Sequence, residues 1–242
     1  MTSDGIVAIG TPSGPMEALV TAARTETPAG SVIFFHEGKG IDDGAREAGQ
    51  RLAREGYFAV APDIYRTSSS SLILSRSEMS EPSQRVSAVD SMRELVRDID
   101  ATIAYVREVA PAAPDKVCML GTGPGGFLAF LGGRRPRISA TVSLYGDGMS
   151  LLRNELKVPS SGAHRSAPLL WILGAEDENV RPKAVGATRA RLTSLGVPHA
   201  LLVYPRARAG FATDGSDGYR ADIAADAWRR AIAWLVTPAP TP

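Results

Sequence analysis

A histidine and a glutamate stand side by side, His36 and Glu37, at the end of the apolar run SVIFFHE. The pair could move protons near neutrality, because imidazole titrates close to pH 7 and a carboxylate in a dry, apolar site is pushed up toward the range a general acid or base needs. Each also has a structural reading. Glu37 could cap amides of the following GKG loop or pair with Lys39, and His36 could be a hydrogen-bonded packing residue. Further polar groups sit at the ends of other apolar runs: Tyr65 and Arg66 after YFAVAPDI, Tyr145 in SLYG, Asp177 after LLWILG, and Arg208 in RARAG. Ligands of open α/β sheets bind beyond the carboxyl ends of the strands. The tyrosines and arginines are therefore candidates to touch a ligand's oxygens or carboxylate, or else interfacial tyrosines and solvated arginines.

The segment GTGPGG, Gly121 to Gly126, lies between the apolar run KVCML and the apolar segment FLAFLGG. Strand, tight glycine-rich turn and helix is the arrangement that lifts a catalytic side chain to the apex of a turn, here position 123. The same letters loosely match a dinucleotide fingerprint, but they occur late in the chain and fit the catalytic turn better. No His, Cys, Asp or Glu cluster has metal-ligand spacing, so no metal or cofactor is expected. The single cysteine, Cys118, lies inside a strand and reads as a buried thiol.

These groups need a scaffold to position them. The 242 residues are 44% hydrophobic and 22% charged, enough for one α/β domain, expected over 1–236 with a proline-rich tail at 237–242. Short β-rich runs alternate with amphipathic segments, the pattern of repeated βα units: a mostly parallel sheet with helices on both faces. Two early runs flanking TPSGP read as an antiparallel hairpin. Basic residues (27) nearly balance acidic ones (26), which leaves no field to draw in nucleic acid or an anionic membrane. The expected partner is a small molecule, with a homodimer left open. No signal peptide or membrane-length apolar run is evident, and a reducing cytoplasm is the expected setting. The serine-rich stretch 66–85 reads either as a flap over a pocket or as a surface excursion.

The ordered set of motifs resembles the dienelactone hydrolase family of the α/β-hydrolase superfamily. GTGPGG aligns with the family's Gly-x-Cys-x-Gly-Gly elbow, HEGKG with its His-Glu segment, APDIYR with its Pro-Asp-Leu-Tyr strand end, LGAEDENV with its acid turn and VYPRARAGF with its histidine loop. The resemblance implies an α/β-hydrolase fold and places Asp177 as the triad acid. It also implies that the nucleophile position is Gly123, that the base position is Ala209, and that the residue expected to donate an oxyanion-hole N–H is Pro124, which has none. A divergent member without nucleophile and catalytic histidine follows. Glu37, which the resemblance places near the elbow, becomes the leading acid/base candidate, with Gly123 opposite leaving room for substrate. Asp177 either holds a loop or acts on ligand.

The resulting expectation is a non-hydrolytic enzyme of isomerase, epimerase, cyclase or lyase type, acting on a small oxygenated metabolite, with specialised biosynthesis as one setting. The alternatives are a binding protein that has lost the chemistry, and a residual ester or lactone hydrolase of carboxymethylenebutenolidase type.

Overall fold

Alternating side chains sort the strands onto two faces, as the period of two in extended chain requires. In β3 (Gly30–Phe35) Ile33 and Phe35 join one core and Val32 and Phe34 the other; in β5 (Val117–Thr122) Met119 and Cys118 divide in the same way. Both strands are buried end to end, as expected of a parallel sheet covered on both sides. The computed structural model describes residues 4–37, 40–66, 82–110, 116–146, 166–178 and 180–239, with backbone alone for 82–91. Lys39 and residues 67–81 of the 66–85 stretch read as a flap lie outside these residues.

Eight strands form one sheet in the order β1-β2-β4-β3-β5-β6-β7-β8. The expected hairpin is β1 (Gly5–Thr11) and β2 (Gly14–Thr21), paired antiparallel, and β2 also runs antiparallel to β4 (Tyr57–Pro62). The remaining pairs, through β6 (Ile138–Leu144), β7 (Leu169–Gly174) and β8 (His199–Tyr204), are parallel. One face is covered by α1 (Asp43–Arg54) and α5 (Ala221–Val236), the other by α2 (Pro82–Val109), α3 (Pro124–Gly133) and α4 (Pro182–Ser194). Among the described residues no helix is long and apolar enough to cross a membrane.

The strands stop earlier than the apolar runs suggest. His36 and Glu37 fall just beyond β3, Asp63 to Tyr65 beyond β4, and Tyr145 just beyond β6. Polar side chains are thereby delivered to loops at one edge of a rigid sheet, where binding residues commonly sit.

Candidate active site

Gly123 joins β5 to α3 with φ +50° and ψ −128°, a region that L side chains rarely adopt. Its N–H donates to Leu144 O at 3.0 Å, and its carbonyl accepts from Gly126 N at 2.9 Å. The neighbouring glycines answer to close packing: a Cβ on Gly125 would lie 2.0 Å from Phe35 O, and one on Gly126 2.4 Å from Ser143 Oγ. The first turn of α3 is thus pressed between the ends of β3 and β6. Pro124 opens the helix, where its fixed φ is suitable and its missing N–H would have had no intrahelical partner.

Glu37 faces this turn. A Cβ built on Gly123 would lie 3.1 Å from Glu37 Cγ and 3.2 Å from Oε2, so the room expected opposite the glycine is taken by the carboxylate. The other oxygen, Oε1, accepts from the Tyr145 hydroxyl at 2.7 Å and from Thr213 Oγ1 at 2.8 Å. Tyr145 Oη and Thr213 Oγ1 are themselves 2.5 Å apart, and the one Thr213 hydroxyl proton can serve either neighbour. Tyr145 is held from several sides: its φ is +40°, its N–H donates to Ile172 O at 2.7 Å, and its ring meets Phe211 edge-on at 5.1 Å. Burial first, and the Glu37 carboxylate second, push its phenol well above the usual tyrosine range. The phenol is therefore a neutral donor to Glu37.

A cavity of about 210 Å³ opens on the α1 and α5 side of this cluster, with Glu37, Thr122 and Thr213 on its wall. Phe34, Ala48 and Trp228 supply an apolar side, and Asp42, Glu47, Arg51 and Asp214 a charged one. Trp228 is fixed by donating its indole N–H to Ala212 O at 3.1 Å. An aromatic wall with a few convergent polar groups is the usual makeup of a small-molecule site.

A second corner lies at the ends of β7 and β8. Asp177, 5% exposed, shares a cavity of about 220 Å³ with Arg208, Ala209, Glu176, Glu178 and Asp217. The acid turn and the loop carrying Ala209 do meet, as the resemblance implies. Arg208 is exposed there, and neither it nor Asp177 lines the cavity that holds Glu37.

The remaining sequence candidates divide. His36 lines the first cavity but is 2% exposed, with Nε2 3.2 Å from Pro62 O and its ring against Tyr65 at 5.4 Å. Tyr65 itself is buried and does not line that cavity. Arg66 is engaged elsewhere, with Asp98 at 2.7 Å and Thr11 at 2.9 Å. Cys118 is fully buried, and burial pushes its thiol up to about 12. Sequence reasoning overlooked Thr213 and Trp228. Thr213 lies two residues beyond Phe211 with no local signal of its role; Trp228 looks like any apolar position of an amphipathic helix. Among the described residues no His, Cys, Asp and Glu group could hold a metal.

Comparison with known proteins places this arrangement. Residues 16–238 match the model of the dienelactone hydrolase family. A Synechocystis protein assigned by name as a carboxymethylenebutenolidase is 30% identical over 202 residues, covering 82% of each chain. A Bradyrhizobium protein assigned as a 2-oxo-3-(5-oxofuran-2-ylidene)propanoate lactonase is 26% identical, covering 85% of this chain and 82% of its own. The crystal structure of a Klebsiella pneumoniae protein assigned as a dienelactone hydrolase superposes with a TM-score of 0.75 at 22% identity, over 97% of this chain and 98% of that one. The fold is that of the α/β-hydrolases, and the chain belongs to the dienelactone hydrolase family.

Proposed function

We propose that the protein hydrolyses a small ester or lactone by direct attack of water, with Glu37 as general base and no acyl-enzyme. One observation carries this reading: Glu37 Oε2 lies 3.2 Å from the point where a side chain on Gly123 would begin. A base therefore stands where this family's architecture presents its nucleophile. The covalent route is closed if positions 123, 124 and 209 correspond to nucleophile, oxyanion donor and base, since they carry glycine, proline and alanine. Loss of one oxyanion donor costs about 10²–10³ in rate, and loss of a triad serine or histidine about 10⁶ in a well-studied protease.

The steps balance without a covalent intermediate. Water oxygen bonds to the carbonyl carbon while Glu37 Oε2 takes its proton. The acyl C–O bond then breaks, and the leaving oxygen recovers the proton from Glu37. Tyr145 acts as a positioning residue, since its buried hydroxyl fixes Oε1 and leaves Oε2 turned toward the elbow.

The relatives' names support hydrolysis and lend no support to isomerase, epimerase, cyclase or lyase chemistry. Isotopes separate these outcomes. Butenolide and aryl-ester probes incubated in H₂¹⁸O should give one labelled oxygen in the carboxylate product, and the Glu37→Gln protein should form it about 10²–10⁴ times more slowly. Deuterium entering an unopened substrate from D₂O would instead mark non-hydrolytic proton transfer, and tight binding with neither label would mark a binding protein.

A further inference from the structure

The wall of the Glu37 cavity carries more negative charge than its catalytic carboxylate requires. Asp42, Glu47 and Asp214 line it together with Glu37, and Arg51 and the buried His36 are the basic side chains among the described lining residues. Arg51 is already committed: it donates to Glu47 Oε1 at 2.9 Å, and its guanidinium lies 5.0 Å from the centre of the Trp228 ring. A carboxylate on a ligand could recruit Arg51 only by competing with Glu47. Asp42 is partly balanced, because Oδ1 accepts from Ala45 N at 2.8 Å at the N-terminus of α1, where the helix dipole is positive. Asp214 accepts from Gly215 N at 3.0 Å and has no such helix end. Asp214, which is exposed, and Glu47 thus add negative charge to the wall that carries Glu37, and a like-charged ligand group entering there is repelled.

We propose that this cavity selects uncharged lactones or esters and rejects those bearing a carboxylate arm. The inference rests on the functional reading above and narrows its substrate class. It also sets the chain apart from the relatives, whose assigned names, carboxymethylenebutenolidase and propanoate lactonase, both describe substrates carrying an acid group. Glu47 and Asp214 are the residues assigned to this discrimination.

The test compares two probes of nearly one shape, 5-carboxymethylidene-butenolide and its primary carboxamide, at a pH where the acid is ionised. Binding is measured by calorimetry on the Glu37→Gln protein, which retains Asp42, Glu47, Arg51 and Asp214 and should not consume the probes. The carboxamide should bind roughly tenfold or more tightly than the acid at low salt, with the gap narrowing as salt rises. In a protein also carrying E47Q and D214N, which frees Arg51 and leaves Asp42 as the remaining carboxylate on the wall, the acid should gain on the order of tenfold while the carboxamide is unchanged. Equal affinities for the two probes, an unaltered ratio in the added variant, or binding of neither probe at millimolar concentration would each overturn the inference. Failure of the hydrolytic reading registers separately, as undiminished turnover of the carboxamide by Glu37→Gln or as absence of turnover by the unaltered protein despite binding.

Discussion

Two corners at the carboxyl edge of the same sheet have been built to opposite standards. Around Glu37, a phenol and a threonine hydroxyl meet one carboxylate oxygen at 2.7 and 2.8 Å, and the other oxygen lies 3.2 Å from where a Cβ on Gly123 would begin. Around Asp177, the acid turn and the loop of Ala209 enclose a cavity whose other titratable groups are Glu176, Glu178, Asp217 and the exposed Arg208. The first corner fixes a single group's orientation; the second brings three further carboxylates near a buried one. Preorganised geometry separates a working acid or base from a bystander. On the reading proposed here, chemistry has moved from the second corner to the first.

The largest expected effect is that of Glu37→Gln. Glutamine keeps the shape and can still accept from Tyr145 through its carbonyl, but it cannot take a proton from water. General-base removal should lower kcat by about 10²–10⁴ with thermal stability nearly unchanged. Steady-state kinetics on a neutral lactone, beside a melting curve, check both halves.

Gly123→Ser comes next, and it opposes the ordinary intuition that restoring a nucleophile restores activity. The new Cβ would sit 3.1 Å from Glu37 Cγ, and the added hydroxyl needs the space Glu37 now holds. An L residue at φ +50° and ψ −128° also costs about 1–3 kcal/mol of backbone strain. With Pro124 and Ala209 unchanged, the serine has neither oxyanion N–H nor imidazole beside it. We expect turnover to fall by about tenfold to a hundredfold, the scale of misplacing a reacting group by roughly 1 Å, with no acyl-enzyme burst. A burst would show that the family's covalent route is only one residue away.

The elements and the corners were not equally legible in the sequence. Continuous apolar runs such as VIFF and LLWIL could only be buried parallel strands, and the βα alternation gave the layered sheet, because burial on both faces leaves its mark on composition. GTGPGG announced its turn for the same reason: glycine is required where α3 presses on β3 and β6. The partners of Glu37 are another matter. Tyr145 and Thr213 lie 108 and 176 residues from it, and nothing local marks a hydroxyl that will meet a carboxylate across that separation. Arg66 shows the converse difficulty: a strand-end arginine reads as a ligand contact until Asp98, 32 residues on, is seen to hold it.

Tyr145→Phe and Thr213→Val should each lower kcat/KM by about tenfold, since each removes one hydrogen bond to a charged oxygen. Because they share Oε1, their effects should be non-additive in the double variant. The pH profile sharpens this assignment. Burial and Glu37 both favour the protonated phenol, so Tyr145 stays neutral beyond the ordinary tyrosine value of about 10. Turnover should therefore show no falling limb from this group up to about pH 10, in the unaltered protein and in Tyr145→Phe alike. A limb near pH 9 that Tyr145→Phe removes would instead assign the phenol a proton-transfer step.

Asp177→Asn should have the smallest effect, and it tests the second corner directly. Asn is nearly isosteric, and the backbone bonds of the turn, Asp177 N to Gly174 O at 3.3 Å and Val180 N to Asp177 O at 2.8 Å, do not depend on the carboxylate. No bond to an imidazole is broken by the change, because position 209 is alanine. We expect kcat/KM to change by less than about threefold, the scale of ordinary substitutions away from the chemistry. The decisive comparison is with Glu37→Gln in the same assay. If Asp177→Asn lost as much turnover as that variant, the inherited acid would still be at work, the two corners would act as one site, and the contrast between them would lose its meaning.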